Sequence, residues 1–262
     1  MKTLLICHEG SDLTQYGMLR WLASFSNVIG IIVLKEKRKR FFQRIRRELS
    51  RVGFLRFVDV IAFRFYYKLL LSRKDKIWEA DKLEELCRIY PKFPDEIPTL
   101  STYSPNCKEA ENFIKEVNPD IMIARCKTLI KKAVFSIPSN GTFVMHPGIC
   151  PEYRNAHGCF WALANNDLNK VGMTLLKIDE GVDTGPIYGY YTYDFDEIKE
   201  SHIVIQHRVV FENLEELKER ILEIFNSTVI PIDTSGRASA TWGQPWLTSY
   251  IKWKLNAKRR NR

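Results

Sequence analysis

Apolar and polar positions along the first 35 residues follow the order of a strand, a turn, a helix and a second strand. MKTLLIC is a short apolar run, and HEGSD after it is polar. Apolar residues recur at helical spacing from Leu13 to Phe25, and NVIGIIVLK is a β-branched apolar run. Short, continuously apolar runs are typical of strands in a parallel sheet that is covered on both faces. The pattern therefore predicts the start of a doubly wound α/β domain, whose ligands bind at the carboxyl ends of its strands.

The segment from about residue 36 to 76 predicts two inserted helices. In the first helix, apolar residues recur at intervals of three and four, at Phe41, Phe42, Ile45, Leu49 and Val52. The second, FLRFVDVIAFRFYYKLLL, is much more apolar but still carries basic residues. Two interpretations stay open. The insertion is a helical hairpin with solvated charges, or it is a basic amphipathic surface for an anionic membrane or a polyanionic partner.

The alternation of strands and helices resumes from Ser104. The pattern predicts a helix over CKEAENFIKEVNPD, a strand at IMIARC, a helix and turn over KTLIKKAVFSIPSNG and a strand at TFVMH. It then predicts a helix over HGCFWALANND, strands at VGMTLLKID and IYGYYTYDF, and a helix from Glu212 to Phe225. Residues 231–262 form a basic tail that carries three of the six tryptophans.

The positive charge is concentrated in the insertion. The chain has a net charge of +9, and the segment from Lys35 to Lys76 holds fifteen basic residues against four acidic ones. The rest of the chain is therefore close to neutral. Because no base-reading motif accompanies the basic residues, a nucleic-acid partner is not expected. Hydrophobic residues make up 45% of the chain, which excludes disorder as the default.

Cysteine usage and apolar run lengths predict a cytoplasmic protein. The six cysteines contain no C-x-x-C pair, so reduced, buried thiols are expected rather than a disulfide framework or a metal site. MKTLLICHEG is too short for a signal peptide, and no run reaches the roughly 18 apolar residues of a membrane span. Peripheral contact with an anionic membrane through residues 36–76 is compatible with this pattern. The tail tryptophans offer a surface for a homodimer.

Two loops carry the candidate chemistry, each directly after a buried strand. The first begins at His146, and the second runs from Asp179 to Pro186 and contains Asp183. Loops that follow neighbouring strands of a doubly wound sheet converge on one crevice. A carboxylate there orients an imidazole and supports proton transfer near neutral pH. On spacing alone, however, ordinary turn structure explains both residues better than catalysis does.

The order of the motifs PDIMIARCKTLI, HPGICPEYRN and VGMTLLKIDEGVDTGPI resembles the 10-formyltetrahydrofolate-dependent formyltransferase family. The hallmark of that family is similar to N-x-H-x-S-L-L-P-x-Y-R-G, followed downstream by an Asp in D-x-G-x-D-x-G-P. In this sequence His146, Pro151, Tyr153 and Asp183 occupy the matching positions. The resemblance covers about Asn118 to Tyr190, and the two motifs together are far more specific than either one.

The resemblance implies both a fold and an activity. The fold would be a Rossmann-like, mostly parallel twisted sheet with helices on both faces, with residues 1–230 as the catalytic domain around the basic helical insertion. The activity would be transfer of a formyl group from 10-formyltetrahydrofolate to a primary amine of a small acceptor, such as an amino sugar on a nucleotide or lipid carrier. It implies that His146 and Asp183 are catalytic. It also implies that folate is bound by Thr128, Leu129, Ile130, Gly181 and Val182.

The family's catalytic asparagine falls on Val144, which cannot donate a hydrogen bond. Loss of one oxyanion donor typically lowers a rate by about 10² to 10³-fold. The candidate replacements nearby in sequence are Arg154, Asn155 and His157. Three functions therefore remain open: a transferase, a hydrolase that releases formate from 10-formyltetrahydrofolate, and a catalytically inactive binding protein. Cys150 replaces a leucine of the motif and is interpreted as a buried thiol rather than a nucleophile.

The ends of the domain leave further alternatives. In the turn HEGSDL, Ser11 or Asp12 can cap the following helix, or Asp12 and Glu9 can hold a cationic amine of the acceptor. The segment after Tyr190 predicts a long helix and the tail. This differs from the small C-terminal domain of methionyl-tRNA formyltransferases, so a tRNA acceptor is not expected.

Overall fold

The structure, a computed structural model, describes residues 1–36, 38–93 and 96–261. The strands are β1 (Lys2–His8), β2 (Asn27–Leu34), β3 (Thr99–Thr102), β4 (Ile121–Ala124), β5 (Gly141–His146), β6 (Arg154–Asn155), β7 (Met173–Lys177), β8 (Ile187–Tyr191) and β9 (Thr241–Trp242). The α-helices are α1 (Leu19–Phe25), α2 (Arg38–Tyr66), α3 (Ser72–Ile89), α4 (Lys108–Val117), α5 (Lys132–Phe135), α6 (Gly158–Ala164), α7 (His202–Phe211), α8 (Leu214–Phe225) and α9 (Leu247–Arg260). π-Helical turns at Leu13–Met18 and Tyr67–Leu71 precede α1 and α3.

Seven strands form the main sheet in the order β3-β2-β1-β4-β5-β7-β8. The five strands from β3 to β5 are parallel, whereas β7 and β8 are antiparallel. The chain leaves β1 toward β2 and β3, then returns to the other side of β1 with β4 and β5. This reversal is the crossover of a doubly wound sheet, so the carboxyl ends of its parallel strands form the expected ligand edge. The prediction of a mostly parallel sheet is confirmed.

Helices cover both faces of the sheet, as predicted. Side chains along a strand alternate between faces, so Phe143 and Met145 of β5 pack into the large apolar cluster on one side. That cluster also contains buried residues of α1, α6, α7, α8 and α9. Val144 and His146 point to the opposite face, where α4 and α5 pack on β1, β2 and β4. The two positions of the catalytic motif therefore share one face of β5.

The inserted helices are joined at Gly53. This residue interrupts α2 with φ +78°, a conformation that glycine adopts without steric strain. The second half of α2 packs against α9 of the tail. Arg56 lies 4.4 Å from the centroid of a Trp246 ring, and the Thr248 amide donates to Asp59 at 3.1 Å. Residue 37 and the side chains of several residues of the first predicted helix, Phe41 and Phe42 among them, lie outside the described residues.

The tail is part of the same apolar core. Tyr250 and Trp253 of α9 are buried, and Trp242 and Trp246 pack against the large cluster. The tryptophans on which the expectation of a homodimer rests are therefore used within this chain, and dimerisation stays a prediction. Within the described residues, no helix combines the length and the apolar character that crossing a membrane requires.

Three local features differ from the sequence analysis. The helix predicted over KTLIKKAVFSIPSNG is the single turn α5, which ends where the Phe135 carbonyl accepts from the Thr142 hydroxyl. Helix α7 was missed because HIVIQHRVVF is rich in β-branched residues, although Ser201 caps it by accepting from two backbone amides. At the start of the first helix, Asp12 makes no side-chain cap.

Candidate functional site

His146 is the last residue of β5, and its ring is almost fully buried. Its Nε2 lies 2.8 Å from the carbonyl oxygen of Tyr153. Because a carbonyl only accepts, Nε2 carries the hydrogen and donates. The loop can fold back onto the ring because residue 148 is glycine: a Cβ there would lie 2.5 Å from the Tyr153 oxygen and 2.8 Å from His146 Nε2.

Asp183 faces the other nitrogen of the same ring. Its Oδ2 lies 3.5 Å from His146 Nδ1 and accepts a hydrogen bond of 2.8 Å from the backbone amide of Asn155. Both ring nitrogens of His146 therefore face oxygen acceptors, an arrangement that a protonated imidazolium satisfies. The gap of 3.5 Å is longer than a hydrogen bond, so the Nδ1–H group can still be shared with a bound reactant or a water.

Asp183 reaches His146 by a different route from the one the sequence predicts. Because β7 is antiparallel to β5, Lys177 pairs with Phe143, near the start of β5. The loop after β7 therefore begins far from His146 and folds back over the sheet face to bring Asp183 to the ring. The assumption that both loops follow carboxyl ends of parallel strands was wrong, although the two side chains do meet.

Three non-glycine residues around the pair adopt left-handed backbone conformations. These are Asn155 (φ +76°), His157 (φ +57°) and Asp183 (φ +51°). Such conformations persist only where surrounding contacts enforce them, and they are concentrated at functional sites. Here the enforcing contacts are those between the two loops.

The candidate replacements for the missing asparagine are largely engaged elsewhere. Arg154 donates from Nη1 to the Val182 carbonyl at 3.0 Å, and Asn155 donates from Nδ2 to the Trp242 carbonyl. His157 precedes α6 and is partly buried. Burial, followed by the nearby charge of Lys127, lowers the pKa of His157 to about 4, so this imidazole is neutral at neutral pH. The three residues hold the loops together. Of their side chains, only that of Arg154 is a cation at neutral pH, and it lies at the periphery of the site.

Val144 belongs to a small apolar cluster beneath the catalytic loop. It packs with Cys150, Leu176 and Ile187. Cys150 is buried, and its amide donates to the Thr174 hydroxyl at 3.0 Å. Burial raises the pKa of the Cys150 thiol to about 12, so the thiolate that a nucleophile requires is scarce at neutral pH. All six cysteines are free, and the described part of the chain brings no three metal-binding side chains together.

We expect Cys150→Ala to leave kcat within a few-fold of the wild-type value, because the thiol fills space and makes no reactive thiolate. The native protein should also resist alkylation of Cys150 by iodoacetamide at neutral pH, as peptide mapping would show. Loss of activity in a variant that keeps the wild-type melting temperature would contradict this interpretation and restore the nucleophile hypothesis.

The predicted folate loops lie beside each other. Lys132, at the start of α5, forms an ion pair of 3.1 Å with Glu180 of the Asp183 loop. Leu129 is 54% exposed and Val182 is 40% exposed, whereas Ile130 is buried. Two side chains that the sequence analysis did not single out fix these loops. Asn106 donates to the Leu129 carbonyl at 2.8 Å and accepts from the Lys131 amide, and Asp179 accepts from the Gly181 amide and the Thr184 hydroxyl. The Thr128 carbonyl lies 3.4 Å from Cys126 Sγ.

The tail packs against the loop that follows His146 and holds it in place, a contact that the sequence analysis missed. Strand β9 pairs with β6, so Thr241 and Trp242 lie beside Arg154 and Asn155. The Trp242 indole stacks on Tyr153 and on Trp161 at centroid distances of 5.6 and 4.9 Å, and its Nε1 donates to the Glu152 carbonyl.

Ionic contacts reinforce this packing. Arg237 pairs with the Glu152 carboxylate at 2.7 Å, and Lys170 pairs with the same carboxylate at 3.0 Å. Together they hold the pKa of Glu152 below its usual range despite its burial. The density of tryptophan in the tail was the one sequence signal that could have pointed to this packing.

Comparison with known proteins identifies relatives of this chain. A family model described as formyl transferase matches residues 31–221. The chain is 30% identical over 135 residues to a methionyl-tRNA formyltransferase of Thermotoga neapolitana, a match that covers 51% of this chain and 39% of that protein. The match therefore spans less than half of the length of that curated relative.

Two solved structures share the fold. A sugar N-formyltransferase from a Shewanella species aligns with a TM-score of 0.56 at 12% identity, over 98% of this chain and 87% of that one. A phosphoribosylglycinamide formyltransferase from Anaplasma phagocytophilum aligns with a TM-score of 0.56 at 10% identity, over 94% of this chain and 99% of that one. At these identities the likeness shows the fold alone, and it confirms the predicted Rossmann-like architecture.

Proposed function

The chain belongs to the formyl transferase family, and we propose that it transfers a formyl group from 10-formyltetrahydrofolate to a primary amine through His146 and Asp183. The observation that carries the proposal is the contact between the two side chains, in which both ring nitrogens of His146 face acceptors. A decayed site would have no need to hold a buried imidazole between a carbonyl and a carboxylate carried by a residue of positive φ.

The site supplies the proton movements that formyl transfer requires. Attack by the amine nitrogen on the formyl carbon forms the new C–N bond and places negative charge on the formyl oxygen. Protonated His146 stabilises that oxyanion, while Asp183 keeps the imidazole oriented. Cleavage of the bond to N10 releases the formamide, and the proton that the amine loses is passed to N10 through His146 or water.

The loops beside His146 fit the folate donor. Leu129 and Val182 present exposed apolar side chains on the two loops that the Lys132–Glu180 pair holds together. Exposed apolar side chains next to main-chain polar groups suit a flat heterocycle that needs both kinds of contact. Thr128, Ile130 and Gly181 shape the same loops and complete the proposed binding site for the donor.

The acceptor is proposed to be a small amine that carries phosphate, such as an amino sugar on a nucleotide or a lipid carrier. Lys127 and Arg64 lie close enough to His157, at the far end of the loop that follows His146, for their positive charges to lower its pKa. Arg64 comes from the insertion and lies beside Gln244 of the tail. Two cations beside a neutral imidazole favour the binding of a substrate that carries an anionic group.

Incubation of the purified protein with 10-formyltetrahydrofolate, alone and with a panel of amines, tests this function. The proposal predicts that tetrahydrofolate appears only when a suitable amine is present, together with a formylated amine detected by mass spectrometry. Formate release without any amine would support the hydrolase instead. Donor that binds but is never consumed, whatever the amine, would support the inactive binding protein.

The insertion is proposed to contact an anionic membrane peripherally. Along α2 and the turn after it, Phe54, Val58, Phe65 and Leu69 project from one face of the helix and are half or more exposed, as is Leu55 beside them. Exposed basic side chains follow this segment along the chain, at Lys68, Arg73, Lys74 and Lys76, whereas Arg56 and Arg64 lie against Trp246 and Gln244 of the tail. A helix with this division of residues lies in the interface of anionic lipid.

The charges of the insertion favour a membrane over a second copy of the chain. Between residues 51 and 76 the acids are Asp59, which accepts from Thr248, and Asp75, which is buried against Ser201. The exposed charges of that segment are therefore basic. A two-fold partner would place these like charges against each other, whereas anionic lipid complements them.

We expect the protein to sediment with vesicles that contain phosphatidylserine and not with pure phosphatidylcholine vesicles. The double variant Leu55→Ser, Leu69→Ser should weaken this binding at least about tenfold, because two apolar side chains no longer enter the interface. Ile230→Ser, which changes a residue that is 84% exposed elsewhere on the surface, is the matched control. Equal sedimentation of the double variant and the control would contradict the proposal.

A further inference from the structure

Arg125 lies directly after β4, at the carboxyl edge of the sheet and beside the catalytic strand. In the parallel register of β4 and β5, Ala124 pairs with Val144, so Arg125, the next residue along the chain, is level with Met145, one position before His146. The Arg125 backbone amide still donates to Ile6 of β1 at 2.8 Å, which fixes its backbone in the sheet. The side chain therefore starts from a rigid strand end, on the face of Met145, and its guanidinium reaches β5 at the edge of the sheet.

The guanidinium is anchored next to His146. Its Nη1 donates to the Met145 carbonyl at 2.7 Å. That carbonyl belongs to the peptide bond that joins Met145 to His146, so the cation is held one peptide away from the catalytic imidazole. A single neutral acceptor occupies one of its N–H groups, and the others can still donate.

The charge of Arg125 has no acidic partner. Among the described residues, no carboxylate lies within ion-pair distance of its guanidinium, and its one hydrogen-bond acceptor is neutral. Burial lowers its pKa to about 10, so the side chain remains a cation at neutral pH. Arg125 is partly buried, and cations drawn away from water are normally paired, because desolvation without a counter-charge is costly. An unpaired arginine at a reaction centre indicates an anion that is present there only during the reaction.

We infer that Arg125 replaces the asparagine that this chain lacks and donates to the oxyanion of the tetrahedral intermediate. The inference rests on the proposed function. Val144 leaves no donor at the family position, and Arg125 supplies N–H groups from the neighbouring strand at the same edge. A charge-assisted hydrogen bond is stronger than one from a neutral amide, so one cation compensates for the missing group.

Arg125→Gln tests the inference through the split between kcat and KM. Stabilisation of charge that exists only in the transition state predicts that kcat falls about 10² to 10³-fold while KM for donor and amine changes little. The matched control is Lys35→Gln, because Lys35 likewise follows a parallel strand, β2, at the same edge of the sheet. We expect the control to keep wild-type kcat.

Two rescue experiments separate a catalytic role from a structural one. Val144→Asn introduced into Arg125→Gln should restore at least about tenfold in kcat, because the amide returns to the family position. Guanidinium ion added at low, non-denaturing concentration to Arg125→Ala should also raise kcat. If Arg125 only supported the fold, neither Val144→Asn nor added guanidinium ion would raise kcat.

The outcomes distinguish this inference from the proposed function. Unchanged kcat in Arg125→Gln, a rise in KM alone, or failure of both rescues in folded variants would overturn the role of Arg125 while wild-type transfer still stands. Wild-type protein that transfers no formyl group to any amine would overturn the proposed function, and the role of Arg125 with it.

Discussion

His146→Ala is expected to lower kcat for formyl transfer by about 10² to 10⁴-fold, the range that a positioned acid–base group contributes. The imidazole is the group through which Asp183 acts, and its removal leaves no proton donor between the Tyr153 carbonyl and the Asp183 carboxylate. KM for the donor should change much less, because the folate loops do not depend on the ring. Steady-state kinetics at saturating donor and amine measure this effect.

His207→Ala is the matched control for this variant. His207 lies on α7, and its Nε2 is 3.3 Å from a Glu79 carboxylate oxygen, so it is also a histidine beside a carboxylate. It is remote from the catalytic loop in sequence, and we expect its removal to leave kcat unchanged. Turnover that survives in His146→Ala at the wild-type rate would contradict the catalytic role of the imidazole.

Trp242→Ala is expected to lower the free energy of unfolding by about 3 kcal/mol and kcat by more than tenfold. The indole stacks between Tyr153 and Trp161 and donates to the Glu152 carbonyl. The Tyr153 carbonyl is the acceptor for His146 Nε2, so a loose Tyr153 also releases the catalytic ring. Chemical denaturation and steady-state kinetics below the melting temperature measure the two effects separately.

Trp78→Ala provides the comparison. Trp78 is also partly buried, on α3, and stacks on His207 at a centroid distance of 6.1 Å. We expect this variant to be destabilised as well, but to keep near-normal kcat at temperatures where it is folded. If both tryptophan variants lose activity only in proportion to the folded fraction, the packing of the tail has no specific effect on the catalytic loop.

The sequence predicted that His146 and Asp183 lie close together, but not the path of the chain that brings them there. His146 and Asp183 stand in motifs whose spacing is specific, and the structure brings them to 3.5 Å. Strand direction is not encoded in a short apolar run, so VGMTLLKID gave no sign that β7 turns antiparallel to β5. Only the folded sheet shows that the Asp183 loop crosses its face.

Residues that act across the chain were the hardest to predict. Trp242 contacts the loop that follows His146 from ninety residues away, and no local pattern specifies its partners. Arg125 is a different case, because a charged residue that ends a buried strand is unusual and was visible in IMIARC. Its significance emerges once the pairing of Ala124 with Val144 puts it beside the position that lacks a donor.

The most direct test of the central claim is transfer of an isotopically labelled formyl group from 10-formyltetrahydrofolate by the wild type and by Asp183→Asn. Asparagine tolerates the left-handed backbone that Asp183 adopts, so the variant removes the charge and keeps the loop. We expect label on the amine with the wild type, and transfer slower by about 10²-fold or more with Asp183→Asn. Label that appears only in formate, or equal rates for the two proteins, would contradict it.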